Sequence, residues 1–290
     1  MAEHVHSKRS ECPTPAGTLV IIGGKENKGE QPEKEGESEN VIQLEVLKDF
    51  VSYIKKKNPV IELITSASAE GLEAFREYRK LFKQLDITEV RHMHHNKREE
   101  ALTDELAERI DQADAFFFTG GDQLKLTTLY GGTQLLTELK SKYIASPVVI
   151  GGTSAGAMAL STPMIYACKD DGQISGEIKV TTGLEFLKDV CIDTHFVHRS
   201  RFLRMAQVIV SNPTSIGLGI AEDTAVVVRN GLKVEIIGSG TVIVMDGAGI
   251  TDTNYTEFSE KKAVSIRDLK VHLLARGDKY NIPQINPPHK

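Results

Sequence analysis

SPVVIGGTSAGAMAL (Ser146–Leu160) changes character in its middle. The apolar, β-branched half, Val148–Ile150, has the composition of a buried strand, and the run of small residues that follows opens a helix. Between them, Gly152-Thr153-Ser154-Ala155-Gly156 fits the G-x-S-x-G pattern of a strand–turn–helix elbow. Such a turn is tight enough to strain its apex. Side chains at 152 and 156 would collide with the sheet or with an approaching substrate, so glycine is required at both. Ser154 then stands exposed as the candidate nucleophile, and the amides opening the next helix point at the site where an oxyanion would develop.

Outward from this elbow, short β-branched runs alternate with longer amphipathic stretches, as expected when crossover helices join parallel strands. TLVIIGG (Thr18–Gly24) reads as a first strand ending at a glycine pair. Lys25–Asn40 is charged and lacks apolar residues, which predicts a solvated loop. A helix is expected over about Val41–Lys57 and a strand over Val60–Ala67. A helix (about Glu70–Gln84), a strand (Ile87–Arg91) and a helix (about Arg98–Gln112) follow, then the strand AFFFTGGD (Ala115–Asp122) and a helix near Gln123–Leu139. Asn230–Gly231, between AVVVR and KVEII, is a strong two-residue hairpin signal, and TVIVMD (Thr241–Asp246) adds a strand. The fold class expected is α/β, a mainly parallel sheet flanked by helices with an antiparallel C-terminal extension. Residues 1–17 are expected to form a flexible N-terminal segment and residues 18–290 a single hydrolytic domain.

Composition narrows the function. With 40% apolar and 26% charged residues the chain has material for a large core, and a net charge of −5 argues against general nucleic-acid binding. No apolar run is long enough to span a membrane, and the N-terminus lacks the core of a signal peptide, so a soluble cytoplasmic protein is expected. Cys12, Cys168 and Cys191 are an odd, scattered set, read as buried or incidental thiols.

A serine hydroxyl needs a base. Of the nine histidines, His4, His6 and His289 lie near the termini, and His272 sits in the apolar stretch VHLLA. His92, His94 and His95 form HMHH at a predicted strand end, where only His92 and His94 share a face, so a solvated strand end is preferred to a metal site. His195 and His198 remain. His195 is favoured because, in VCIDTHFVHRSRFLRM (Val190–Met205), it comes just after an apolar strand-like run whose end can deliver it beside the elbow. GIAEDTAVVV (Gly219–Val228) offers Glu222 and Asp223 as the acid that orients the base. The chain order Ser, His, acid differs from the Ser, acid, His of α/β-hydrolases.

Together TGGDQ (Thr119–Gln123), GTSAGA (Gly152–Ala157), DTHFVHRSRFLR (Asp193–Arg204) and GIAEDTA (Gly219–Ala225) resemble the cyanophycinases, within the serine peptidase family that also contains the aspartyl dipeptidase peptidase E. The resemblance runs from about Thr18 to Asp246. It implies a fold similar to class I glutamine amidotransferases, of flavodoxin-like type, and a triad of Ser154, His195 and Glu222. It also implies an oxyanion hole from the amides of Gly121 and Ala155, with Gln123, Asp193, Arg199, Arg201 and Arg204 binding substrate. The implied reaction is hydrolysis of cyanophycin, a poly-aspartate with arginine on each β-carboxyl, to β-Asp-Arg dipeptides, with no metal or organic cofactor. The other partners expected are a second copy of the chain, as a homodimer, and neither nucleic acid nor membrane.

The arginines make independent sense, because guanidinium forks bind bidentately the α-carboxylates that such a polymer presents. Asp193 is expected to hold a substrate guanidinium. Two departures from the resemblance affect specificity: Thr194 replaces a glutamine, and Val197-His198-Arg199-Ser200-Arg201 stands where Ser-Gln-Arg-Gly-Arg is typical. The alternatives are a peptidase E-like α-aspartyl dipeptidase and a catalytically silent amidotransferase-like binding protein.

Overall fold

The computed structural model describes residues 13–26, 44–103, 105–168, 178–256 and 262–283. The first half of the chain alternates as expected. It runs β1 (Thr18–Ile22), α1 (Glu45–Ser52), β2 (Val60–Ile64), α2 (Gly71–Gln84), β3 (Glu89–Met93), a 3-10 turn (Arg98–Leu102), α3 (Glu105–Gln112) and β4 (Ala115–Phe118). Then come α4 (Gln123–Tyr130), α5 (Gln134–Ala145), β5 (Val149–Thr153) and α6 (Ala155–Ala159).

The second half is mostly strand: β6 (Ser161–Thr162), β7 (Met164–Cys168), β8 (Ile178–Thr181), β9 (Leu187–Lys188) and β10 (Val190–Asp193). After α7 (Phe202–Ser211) come β11 (Ile216–Ile220), β12 (Thr224–Arg229), β13 (Lys233–Gly238) and β14 (Val242–Asp246). The last elements are β15 (Asp252–Thr253), β16 (Ile266–Arg267), β17 (Lys270–Leu274) and β18 (Lys279–Asn281).

The main sheet has eight strands in the order β18-β13-β12-β1-β5-β4-β2-β3. From β1 to β3 its strands are parallel, and β12, β13 and β18 extend it antiparallel. Successive residues of a strand face opposite sides, and here both sides are covered. Val20, Ile22, Leu63 and Phe117 pack under α1 and α2, with Phe50 and Phe82 set edge-on to Phe117 at 5.2 and 5.6 Å. Leu19, Ile21, Phe116, Phe118 and Ile150 face the other way into the larger core. This explains why the strands read as continuous apolar runs.

Three features differ from the sequence reading, and one expectation falls on residues that are not described. The helix expected over Gln123–Leu139 is two helices, because Gly132 takes φ +69° and Thr133 caps α5 by accepting from the amide of Leu136 at 3.3 Å. The stretch expected as one helix from Arg98 is a 3-10 turn followed by α3. Most of the predicted 25–40 loop, residues 27–40, and the start of the predicted helix at 41–43 lie outside the described residues. Finally, the strand of Thr241–Asp246 does not extend the main sheet. As β14 it pairs with β11 in a second, six-stranded sheet ordered β17-β14-β11-β10-β6-β9. The hairpin at Asn230–Gly231 forms as expected, with φ +55° and +71° at its two central residues.

The two sheets meet where the chain leaves β11 and enters β12, so Ala221–Asp223 is a crossing between them. That crossing carries Glu222. In register, Ile22 at the end of β1 lies between Thr153 of β5 and Ala225 of β12. The carboxyl ends of β1, β5, β10 and β11 therefore converge on one place, as ligand sites do in open α/β sheets.

Candidate active site

Ser154 occupies the apex of the turn from β5 to α6, with φ +52° and ψ −117°. That conformation is costly for a residue with a Cβ and persists only where neighbours fix it. The amide of Ser154 donates to the carbonyl of Ile22 at 3.1 Å, and its own carbonyl accepts from Met158 at 3.0 Å. A Cβ on Gly156 would come within 2.3 Å of the Phe118 carbonyl oxygen. The small-residue requirement is thus a backbone contact between α6 and β4.

The Ser154 hydroxyl lies 2.9 Å from Nε2 of His195, and Nδ1 of His195 lies 2.7 Å from Oε1 of Glu222. His195 follows β10 in a tight turn with φ +49°, its amide bound to the carbonyl of Gly23 at 2.8 Å. The ring rests on the backbone of Gly24, where a Cβ would approach its Cε1 to 2.4 Å. Burial pushes the imidazole below its ordinary pKa, and the hydrogen bond that its Nδ1–H donates to Glu222 opposes that while Arg199 and Arg201 reinforce it. For Glu222 burial acts upward, but the His195 bond and the charges of His198 and Lys25 outweigh it and hold the carboxylate low. Lys25 Nζ is 3.4 Å from Oε1, and His198 Nδ1 is 3.6 Å from Oε2. Serine, imidazole and carboxylate thus form one hydrogen-bonded chain, with the carboxyl favoured in its ionised form and the imidazole in its neutral form, the arrangement that proton transfer from a serine requires.

A base of this kind sets the acid limb of any rate profile. Because the imidazole must be neutral to accept a proton, and burial favours the neutral form, kcat/KM is expected to fall only below the ordinary histidine value of about 6.5. Glu222→Gln removes the charge that favours the imidazolium and should move that limb further toward acid. A pH–rate series on both proteins checks the sign, and a wild-type limb above that value would contradict it.

Beside Ser154 lies a polar cavity of about 300 Å³ lined by Gly121, Gln123, Ala155, Thr194, Arg199, Arg201 and Arg204, among others. Gly121 and Ala155 therefore flank the serine, and a Cβ on Gly120 would sit 3.4 Å from that of Ser154. Gln123, first residue of α4, donates its amide to the carbonyl of Ile165 at 2.8 Å. Arg199, Arg201 and Arg204 all reach the cavity wall.

Asp193 does not. It is 0% exposed, and its carboxylate is taken by the chain's own guanidiniums. Arg201 donates to Oδ1 at 3.0 Å, and Arg204 forks across both oxygens, with Nε to Oδ2 at 2.5 Å. The expected contact between Asp193 and a substrate guanidinium is thus replaced by an internal one, because two arginines from the following turn and helix fill its acceptor sites first. Two cations on one anion leave the wall net positive, which favours an anionic ligand.

The other histidines lie elsewhere. Thr65 Oγ1 is 2.8 Å from His92 Nε2 and 3.0 Å from His94 Nδ1. His95 turns away and is buried, with Nδ1 3.1 Å from the Tyr130 hydroxyl, so this strand end is less solvated than expected. Among the described residues no group of three or more His, Cys, Asp or Glu side chains could hold a metal ion, and no helix is long and apolar enough to cross a membrane. Sequence reasoning missed Glu26, whose carboxylate accepts from Tyr78 and, at 2.8 Å, from Thr153 Oγ1. Its elbow partner is 127 residues away in the chain, so no local pattern signals it.

The model of peptidase family S51 matches residues 35–237, a span that includes Ser154, His195 and Glu222. A cyanophycinase of Synechococcus elongatus is 31% identical over 275 residues, covering 94% of this chain and 82% of the relative. The cyanophycinase of Geminocystis herdmanii (strain PCC 6308) is 29% identical over 270 residues, covering 91% and 93%. Among solved structures, a peptidase from an acI-B1 Actinobacterium superposes with a TM-score of 0.65 at 21% identity, covering 93% of this chain and 98% of that one, a likeness of fold.

Proposed function

The chain belongs to peptidase family S51, and on that premise we propose that it hydrolyses cyanophycin to β-Asp-Arg dipeptides through an acyl-enzyme on Ser154. The observation that carries this reading is the unbroken chain from Ser154 through His195 to Glu222, opening on a cavity walled by three arginines.

In this mechanism His195 Nε2 takes the Ser154 proton as Oγ attacks the aspartyl carbonyl carbon. The resulting oxyanion lies between the amides of Gly121 and Ala155. Collapse breaks the scissile C–N bond, and His195 returns the proton to the leaving amine. Water, deprotonated in turn by His195, then attacks the ester carbonyl and releases Ser154. Glu222 holds Nδ1–H, fixing the tautomer and balancing the imidazolium. Arg199, Arg201 and Arg204 draw the polymer's α-carboxylates to the wall, while Asp193 anchors the last two guanidiniums in place.

The test is mass spectrometry of products formed from purified polymer. β-Asp-Arg dipeptides are expected. An intact polymer together with cleavage of α-linked Asp-X dipeptides would replace this reading with a peptidase E-like one. Tight binding of an acidic peptide without turnover or acylation would mark a silent binding protein.

A further inference from the structure

The five residues Ile22–Glu26, where β1 ends, touch every member of the proposed triad. The carbonyl of Ile22 accepts from the amide of Ser154 at 3.1 Å, and that of Gly23 accepts from the amide of His195 at 2.8 Å. The carbonyl of Gly24 accepts from Asp223, next to Glu222, at 3.0 Å, and Lys25 approaches Glu222 itself. These contacts are made by the backbone or by an exposed lysine. The fifth residue differs. Glu26 is only 4% exposed, and its carboxylate reaches across to α2 and β5.

Oε1 of Glu26 accepts from the Tyr78 hydroxyl, and Oε2 accepts from Thr153 Oγ1 at 2.8 Å. Tyr78 is buried, and that burial together with the neighbouring Glu26 holds its phenol well above the ordinary range, so it stays a donor. Thr153 is the residue before the strained apex. Ser154 keeps φ +52° only if the chain on both sides is held. The helix side is held by the Met158 amide on the Ser154 carbonyl. On the strand side, Thr153 Oγ1 donates to Glu26 at 2.8 Å and also lies in hydrogen-bond contact with the Tyr78 hydroxyl that Glu26 holds.

We propose that Glu26 is a positioning residue of the hydrolytic site: its buried carboxylate pins Thr153, and with it the Ser154 elbow, to the same loop that locates His195 and Glu222. This inference rests on Ser154 acting as nucleophile. A carboxylate suits the task because it accepts two strong hydrogen bonds at once from donors on different elements. Loosening it lets Oγ drift from Nε2 without changing the cavity that binds substrate, and displacements of about 1 Å cost reactions of this kind up to roughly 100-fold.

The experiment compares wild type with Glu26→Ala, Glu26→Gln and Thr153→Val. It measures kcat and KM on the polymer and the rate at which a fluorophosphonate labels Ser154, all normalised to folded protein by circular dichroism. Glu26→Ala and Thr153→Val are expected to lower kcat and labelling rate by roughly 10- to 100-fold with KM within about twofold. Glu26→Gln, which can accept from Tyr78 but not in the same way from Thr153, is expected to recover part of that loss. Should Glu26→Ala fail to fold, Thr153→Val, which replaces only the hydroxyl by a methyl of similar size, decides the matter. Labelling at the wild-type rate in both would overturn the proposal while leaving Ser154 as nucleophile. A loss that vanishes on normalisation, or one that appears equally in KM, would also overturn it. A wild-type protein that is not labelled at Ser154 would refute the nucleophile and the positioning residue together.

Discussion

Ser154→Ala is expected to abolish hydrolysis, lowering kcat by roughly 10⁴- to 10⁶-fold, about 5 to 8 kcal/mol of transition-state stabilisation. Its effect should fall on kcat alone. KM is set by the arginine wall, which the substitution leaves intact. Stability should change little, because alanine has the same Cβ as serine and meets the same backbone strain at φ +52°. The hydroxyl's hydrogen bond to His195 is lost, but that ring remains held by Glu222 and by its amide bond to Gly23. Glycine at this position should be more stable than either, since it removes the Cβ that makes the conformation costly. Kinetics on the polymer and a thermal melt test the three proteins side by side. Unchanged hydrolysis by Ser154→Ala would refute the proposed mechanism.

The largest loss of stability is expected from Asp193→Ala. Arg201 and Arg204, with side chains only 14% and 12% exposed, both rest on this carboxylate, which is itself 0% exposed. Removing it leaves two enclosed guanidiniums facing each other without a counter-charge. Deleting one partner of a buried ion pair costs roughly 3–5 kcal/mol, far more than the intact pair contributes relative to apolar packing. In a chain of this size, about 2–4 °C of melting temperature is lost per kcal/mol, so a fall on the order of 10 °C is expected. Asp193→Asn keeps the shape and one acceptor, and should lie between. Activity should fall as well, because the guanidiniums would no longer be aimed at the cavity. A melting temperature within a degree of wild type would show that the arginines find other partners.

These two residues illustrate how unevenly the site was legible. Ser154 is marked by its immediate neighbours, since an elbow needs glycine at 152 and 156 for reasons confined to a few residues of backbone. Asp193 is just as visible in the sequence, two residues before His195, yet its role could not be read there. Whether a carboxylate meets a substrate or an internal arginine depends on where α7 places Arg204, and that is a matter of packing. The acid shows the same division. Glu222 and Asp223 are adjacent and chemically alike, but the crossing between the sheets turns Glu222 onto His195 and sends Asp223 to Ser239 Oγ at 2.9 Å. His198 likewise lies near Glu222 but is exposed, while the turn with φ +49° carries His195 inward.

The amino-acid sequence by itself determined the α/β alternation, the hairpin at Asn230–Gly231, the elbow and the short list from which base and acid come. Each of these rests on local physics: side-chain periodicity, turn stereochemistry and the steric demands of one tight bend. Only the tertiary structure decided that β14 joins a second sheet, that Gln123–Leu139 breaks at Gly132, and that Asp193 faces inward. It alone brought Glu26, just past the carboxyl end of β1, onto Thr153 at the base of the elbow. Strand partnership and the pairing of buried charges are settled by contacts between residues distant in the chain, and such contacts leave no period or motif in the sequence to be read.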